Sequence, residues 1–223
     1  MNQQTQTAAI AREGVLATNK VIRNTYILLS LTLLFSALTA GIAMASNAAP
    51  LPWFVVLIGY FGLLFLTTKL RNSVWGLASV FALTGFMGYT LGPLLSFYLS
   101  AFSNGSELVM MAMGGTGVIF VGLSAYALTT RKDFSFMGGF LLTGILVAFL
   151  AGIGALLFNL PGLALGVSAM FVLLMAGLIL YETSNIIHGG ETNYIMATVT
   201  LYVAIYNLFT SLLHLLGAFM GED

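Results

Sequence analysis

The sequence predicts an all-α integral membrane protein, a bundle of seven transmembrane helices, on three observations. Of the 223 residues, 59% are hydrophobic and only 6% are charged, whereas a soluble domain carries about 25% charged residues. The apolar residues fall into seven runs, most of them close to the roughly 20 residues that a helix needs to cross a bilayer. With seven spans, all seven Lys and Arg residues lie on one side of the membrane.

The predicted spans follow one another through short connections, none long enough to fold as a separate domain. They are Tyr26–Ala45, Trp53–Thr68, Val74–Tyr98, Leu108–Thr129, Phe136–Phe158, Leu163–Ile187 and Ala197–Met220. The third span contains Pro93, which we expect to kink or end its helix. Glycine pairs at GxxxG spacing, such as Gly88 and Gly92, are expected to form packing seams between helices.

The basic residues predict the orientation of the chain. They are Arg12, Lys20, Arg23, Lys69, Arg71, Arg131 and Lys132. Because cytoplasmic segments are enriched in Lys and Arg, the N-terminus is expected in the cytoplasm and the C-terminus outside. Residues 1–24 are polar and are predicted to form a flexible cytoplasmic tail, followed by a transmembrane domain over residues 25–223.

Composition argues against several classes of function. A formal net charge of zero gives no reason to expect nucleic-acid binding, and the absence of cysteine excludes disulfides and thiol catalysis. Ser124 and His214 superficially suggest a nucleophile and its base, but their predicted depths differ by roughly 20 Å. We therefore expect no catalytic residue, no cofactor and no metal.

Glu182 is the only acid well inside a predicted span. Because a buried charge is costly in a bilayer, it needs a proton, a cation or a basic partner. Two readings stay open: an interfacial acid that reaches water or a base, and a protonatable gate or cation site. Asn207, in the seventh span, either bonds helices together or lines a polar cavity with Glu182. His188, in the last connection, is expected to be solvated.

Three C-terminal segments resemble the last two helices of the Bax inhibitor-1 family: Tyr181–Ile187, His188–Ile195 and Leu201–Phe209. The resemblance extends from Lys20 to the end of the chain, through Thr84–Pro93 and Ser124–Phe136. It implies a seven-helix bundle with its last helix inside and, for the bacterial members closest to this pattern, a place in the inner membrane with the C-terminus in the periplasm.

Two functions are implied by the resemblance. One is modulation of the membrane-anchored ATP-dependent protease FtsH, which works with HflK and HflC. The other is a pH-sensitive calcium leak gated by two facing acids. The first acid matches Glu182, but the second falls at Ala204, which binds neither a proton nor a cation.

The expected function is therefore a non-enzymatic inner-membrane regulator that binds and inhibits FtsH in membrane-protein quality control. The alternative is a calcium or cation leak that uses Glu182, with calcium ions or protons as its ligands. For the first function, the chain's start is a candidate grip for the protease, at Met1, Asn2, Gln3 and Gln4. An ordinary disordered terminus is the alternative for that segment.

Overall fold

The computed structural model describes residues 3–222, with side chains from Thr18 onward, and all regular elements in that range are helical. The helices are α1 (Gln3–Ala45), α2 (Trp53–Leu70), α3 (Trp75–Ala101), α4 (Gly105–Thr130), α5 (Gly138–Leu157), α6 (Pro161–Ile187) and α7 (Tyr194–Met220). A short 3₁₀ turn, Ser135–Met137, leads into α5.

Each of these seven helices is long and apolar enough to cross a membrane. In α1 the spanning part is Thr18–Ala45, and the other spans agree with the predicted ones within a few residues. The prediction of an all-α, seven-span membrane protein is confirmed.

The flexible cytoplasmic tail over residues 1–24 stays a prediction, and the structure describes the backbone of this segment from Gln3 onward. Met1 and Asn2 lie outside the described residues, but the backbone is helical from Gln3 onward and continues without a break into the first span. The physical reason is that adding a residue to an existing helix costs far less than starting one. Whether this segment serves as a grip for a protease stays a proposal.

Close packing at glycines joins α1 to α3, the most extensive helix pair of the bundle. A methyl group added at Gly88 would collide with the backbone of Ser36, and one added at Gly92 would collide with Ala40 and Ala43. This confirms the predicted seam. The helix also continues through Pro93, so of the two expected outcomes, a kink or an end of the helix, the end does not occur. Transmembrane helices tolerate proline because neighbouring groups satisfy the freed carbonyl.

The last helix lies inside the bundle, as the resemblance implied. It packs against α1, α3, α4 and α6, and Leu201, Tyr202, Leu208 and Leu213 on it are almost completely buried. By contrast, α2 packs mainly on α3, and α5 mainly on α6. Most of the surface of these two peripheral helices is therefore left for lipid.

The connections meet at two opposite ends of the bundle. At what we call the basic end, defined by residues 18–25, 69–74, 131–134 and 188–193, the Asn193 amide donates to the Arg71 carbonyl (3.0 Å) and to Asn72 Oδ1 (2.8 Å). At the opposite end, the Asn104 amide donates to the Met220 carbonyl (2.7 Å). The described Lys and Arg side chains all belong to the basic end, whereas Glu107 and Glu222 belong to the opposite end.

Candidate functional site at the basic end

Glu182 lies on α6, five residues before the helix ends at Ile187. Its side chain is only 4% exposed, and its Oε1 atom has no hydrogen-bond partner among the described residues. This burial differs from the reading in which the acid reaches water at the interface. The carboxyl group is held inside the bundle, where its charged form is costly.

Side chains of α1, α6 and α7 meet beside this acid. The Tyr26 hydroxyl lies 3.3 Å from Thr183 Oγ1, and the Thr198 hydroxyl faces the carbonyl oxygens of Tyr194 (2.7 Å) and Thr25 (3.3 Å). The first bond joins α1 to α6 at the residue next to Glu182, and the bond between Thr198 and Thr25 joins α7 to α1. The start of the first span is thereby fixed against the end of the sixth.

Three buried polar atoms at this end lack a partner among the described residues: Thr25 Oγ1 on α1, Ser124 Oγ on α4 and Glu182 Oε1 on α6. Buried polar atoms are normally paired, and those without a protein partner usually bond to water or an ion. The arrangement can therefore accommodate a proton on Glu182, an ordered water or a cation.

The connection between α4 and α5 is bonded to the end of α6 by two side chains. The Ser184 hydroxyl donates to the Lys132 carbonyl (3.0 Å) and accepts from the Phe134 N–H (3.0 Å). The His188 ring lies with Nδ1 2.8 Å from the Ser184 carbonyl oxygen and Nε2 3.1 Å from that of Arg131. His188 is thus a bridge between two connections and not simply a solvated side chain.

Asp133 closes a small turn in the same connection. The Ser135 N–H donates to its Oδ1 atom (2.8 Å). This backbone hydrogen bond, aided by the Ser135 side chain and by the nearby His188, holds the pKa of the Asp133 carboxyl below its usual range. The basic end therefore carries two acidic residues among its cations, Asp133 and Glu191.

Asn207 lies in the middle of α7 and bonds within its own helix. It donates from Nδ2 to the Val203 carbonyl of its own helix (2.8 Å), and it lines a cavity of about 410 Å³ together with Tyr60, Thr90 and Tyr206. Glu182 is not part of that lining. Among the described residues the structure thus separates the two residues that the sequence grouped as a candidate ion or proton site.

His214 pairs with a serine that the sequence analysis did not consider. Its Nδ1 lies 2.8 Å from Ser168 Oγ on α6, while Ser124 Oγ has no described partner, in keeping with the predicted depth mismatch. Ser168 is seven residues from the start of α6, and His214 is six residues from the end of α7. Because consecutive spans run in opposite directions, these distances place the two residues at about the same depth, and the sequence could have shown this. Because Ser168 lies inside a helix, backbone N–H groups nearby are bonded within it and offer no oxyanion hole.

Comparison with known proteins adds to this geometry. The family described as "Inhibitor of apoptosis-promoting Bax1" matches residues 18–221. The chain belongs to this family, the Bax inhibitor-1 family.

Its full-length bacterial relatives are close. The chain is 57% identical to an uncharacterized protein of Pseudomonas aeruginosa over 91% of both chains. It is 54% identical to a protein of Escherichia coli K12 named "Modulator of FtsH protease YccA" over 95% of both, and 43% identical to an uncharacterized membrane protein of Vibrio cholerae over the whole length of both. The protein is a multi-pass protein of the bacterial inner membrane.

Ala204, where the resemblance implies a second acid, lies in an apolar environment. Ala204 is fully buried and belongs to a cluster with Ile179 and Leu208. Within residues 3–222, no group of three or more His, Asp or Glu side chains could hold a metal ion. Glu182 is thus a single buried acid and has no carboxylate partner at that position.

Proposed function

We propose that this Bax inhibitor-1 protein is a non-enzymatic regulator that binds the membrane-anchored ATP-dependent protease FtsH, with HflK and HflC, and inhibits its action on other membrane proteins. The observation that carries the proposal is the 54% identity to the E. coli FtsH modulator, which covers 95% of both chains and so includes all seven spans. Because the similarity extends over the whole bundle, the simplest explanation is that the bundles of the two proteins have the same function.

The geometry supports recognition within the bilayer. Several polar side chains of the connections are bonded within the bundle, as in the Asn193 and Asn104 clusters. The peripheral helices α2 and α5 present long apolar faces, with Ile58, Phe65, Phe140 and Leu150 highly exposed. In lipid, such faces associate with other helices through close packing rather than hydrophobicity.

Affinity purification in a mild detergent tests the proposal. The tagged chain is expected to recover FtsH, HflK and HflC from membranes, in amounts well above those recovered by an equally expressed, unrelated inner-membrane protein with the same tag. Repeated recovery of the chain without FtsH, also after chemical cross-linking in intact membranes, would contradict it.

A second candidate function has one observation in its favour. The buried, unpartnered Oε1 atom of Glu182 is what a proton-controlled cation path would require. Against it stands Ala204, whose methyl group lies in the apolar core where the resemblance puts a second acid. A cation path here would depend on Glu182 alone.

Ion flux in proteoliposomes decides between the two candidates. Calcium and proton flux would be measured for the wild type and Glu182→Gln at about pH 6 and pH 8, on either side of neutrality. The regulator proposal expects no flux above that of empty liposomes. Flux that depends on pH and disappears in Glu182→Gln would instead make this protein a channel, with protease control secondary.

A further inference from the structure

A cavity of about 470 Å³ lies between α1 and α4 and is open to the side of the bundle. Helix α3 closes its back and α7 forms its floor. Both α1 and α4 pack well on α7 but make little contact with each other, which leaves the gap. The cavity extends from Leu33 to Met44 along α1 and from Met113 to Phe120 along α4.

The walls of the cavity offer an apolar surface. Its buried polar groups are already bonded within the protein: the Tyr202 hydroxyl is bonded to Ser36 Oγ (2.6 Å) and to the Thr84 carbonyl (3.2 Å). The Thr116 hydroxyl donates to the carbonyl of Ala112 in its own helix (2.7 Å). A ligand of this cavity therefore needs no hydrogen-bonding groups, and hydrocarbon satisfies it.

The two ends of the cavity differ. Toward the basic end, the rings of Tyr26 on α1 and Phe120 on α4 approach to 6.1 Å between centroids and close the gap. Toward the opposite end, α1 stops at Ala45, level with Gly92 of α3, while α3 continues for nine more residues to Ala101. At 1.5 Å per residue, the wall on the α1 side is about 13 Å shorter. Access is therefore from the leaflet at the opposite end.

Size decides which occupant fits. The lining of α1 spans eleven residue steps, or about 16 Å, so a volume of about 470 Å³ gives a mean cross-section of about 30 Å². A helix with side chains, at least 10 Å wide, needs roughly 80 Å². An extended hydrocarbon chain, whose carbon atoms contact their neighbours at about 4 Å, needs roughly 20 Å². One acyl chain fits and a partner helix does not.

Charge at the opposite end favours one kind of headgroup. That end carries the exposed carboxylates Glu107 and Glu222, and its described residues include no Lys or Arg. A zwitterionic headgroup with an ammonium, such as phosphatidylethanolamine, complements these carboxylates. An anionic headgroup such as phosphatidylglycerol is repelled by them.

We propose that the cavity between α1 and α4 is a lipid-binding site that takes the tail of one acyl chain of phosphatidylethanolamine from the leaflet at the opposite end. The site is distinct from the Glu182 cluster and does not depend on the proposed control of FtsH. Its lipid is held between four helices, unlike the lipids that surround α2 and α5.

Photolabelling of the full chain in proteoliposomes tests this proposal. The probe is phosphatidylethanolamine with a diazirine near the end of one acyl chain, and the adducts are mapped by peptide mass spectrometry. Wild type is expected to be labelled several-fold more strongly in residues 33–44 and 113–120 than at Leu142 and Leu150 of α5, which are strongly exposed to lipid.

Matched glycine variants locate the site. A Cβ atom at Gly41 or Gly117 meets no atom within 4 Å, and both residues line the cavity, so Gly41→Phe and Gly117→Phe each add a large side chain at an open position of the lining. Each is expected to lower the labelling of the cavity several-fold. Gly114→Phe is the control, because Gly114 is equally open but lies outside the lining, and it is expected to leave labelling unchanged.

Four results would overturn the proposal. The first is equal labelling of α5 and the cavity, which would mean ordinary surrounding lipid. The second is undiminished labelling in both filled variants once their thermal unfolding is shown to match that of wild type. The third is equal labelling by a phosphatidylglycerol probe, which would remove the selection by headgroup. Cross-links between two copies of the chain through this face, without lipid adducts, would assign it to a dimer instead.

Discussion

Single residues at the basic end show what a sequence reveals about a buried polar group. Glu182 was predictable as a candidate because an acid inside an apolar run is costly wherever it lies. Its burial and its unpartnered Oε1 atom were not predictable, because they depend on which residues α1 and α4 bring beside it. Ser168 was missed although its depth matches that of His214.

The bridge formed by His188 leads to a prediction about loop mobility. His188→Ala removes both of its contacts to carbonyl oxygens, one of them to Arg131. The connection that carries Arg131 and Lys132 should then open more often, since local opening is limited by such bonds. Trypsin, which cuts after Arg and Lys, is expected to cleave there several-fold faster in membranes that expose this end.

The control for this prediction is His214→Ala, which removes the other histidine at the opposite end of the bundle. It should leave cleavage at Arg131 and Lys132 at the wild-type rate. If His188→Ala also cleaves at the wild-type rate, the ring is not what holds the connection in place.

At the scale of elements, the sequence predicts the properties of a single helix well. It predicts the contacts between two helices less well. The lengths of the spans depend on apolar runs alone, so all but the first, which begins at Thr18 and not at Tyr26, were predicted within a few residues. GxxxG spacing was predicted to mark seams, and Gly88 and Gly92 do lie in one. Gly162 and Gly166 have the same spacing but face no atom within 4 Å. GxxxG spacing indicates that another helix can approach closely at these glycines. Whether a helix does so, and which one, depends on the fold.

Two substitutions test the seam between α1 and α3, one inside it at Gly88 and one outside it at Gly166, and we expect different effects on the free energy of unfolding. Gly88→Ala places a methyl group against the Ser36 backbone and should destabilise the protein by about 1–3 kcal/mol through overpacking. Gly166→Ala meets open space and should be neutral or stabilising by up to about 1 kcal/mol, since alanine favours helix. Thermal unfolding in detergent measures both. Equal effects at the two positions would contradict the seam.

The N-terminal extension of α1 gives a prediction about turnover. Residues Gln3–Ala17 precede the first span and extend it by about 22 Å at 1.5 Å per residue. Helix ends fray, so this segment is a suitable start for a processive protease. Deleting residues 2–18 is expected to lengthen the half-life of the protein in cells several-fold, as followed by pulse-chase.

A chain in which residues 2–18 are scrambled is the control, and it should be degraded like the wild type. The grip requires an accessible end rather than a particular sequence. Unchanged turnover of the deleted chain would count against a grip at Met1, Asn2, Gln3 and Gln4.

At the scale of the molecule, the overall composition of the sequence was more informative than any single residue. The seven-span bundle with its last helix inside follows from apolar length and family resemblance, and the structure confirms both. The cavity between α1 and α4 could not be foreseen, because it results from two helices that share neighbours without touching each other. The residue types along α1 and α4 give no indication of this cavity.

Orientation is a property of the whole chain and stays a prediction. Because every Lys and Arg from Thr18 onward lies at the basic end, that end is expected in the cytoplasm. Alkaline phosphatase, which needs disulfides and hence an oxidising compartment, should be active when fused after Glu222 and inactive when fused after Lys132. The reverse pattern would invert the bundle and place the N-terminus outside.

The central claim is that this bundle restrains a membrane protease. It is tested most directly by reconstituting purified FtsH in proteoliposomes with a membrane substrate and ATP, with and without this chain. We expect degradation of the substrate to slow several-fold as the chain is added and to be unaffected by an unrelated seven-span protein. A rate that is the same at every amount of added chain would contradict the account.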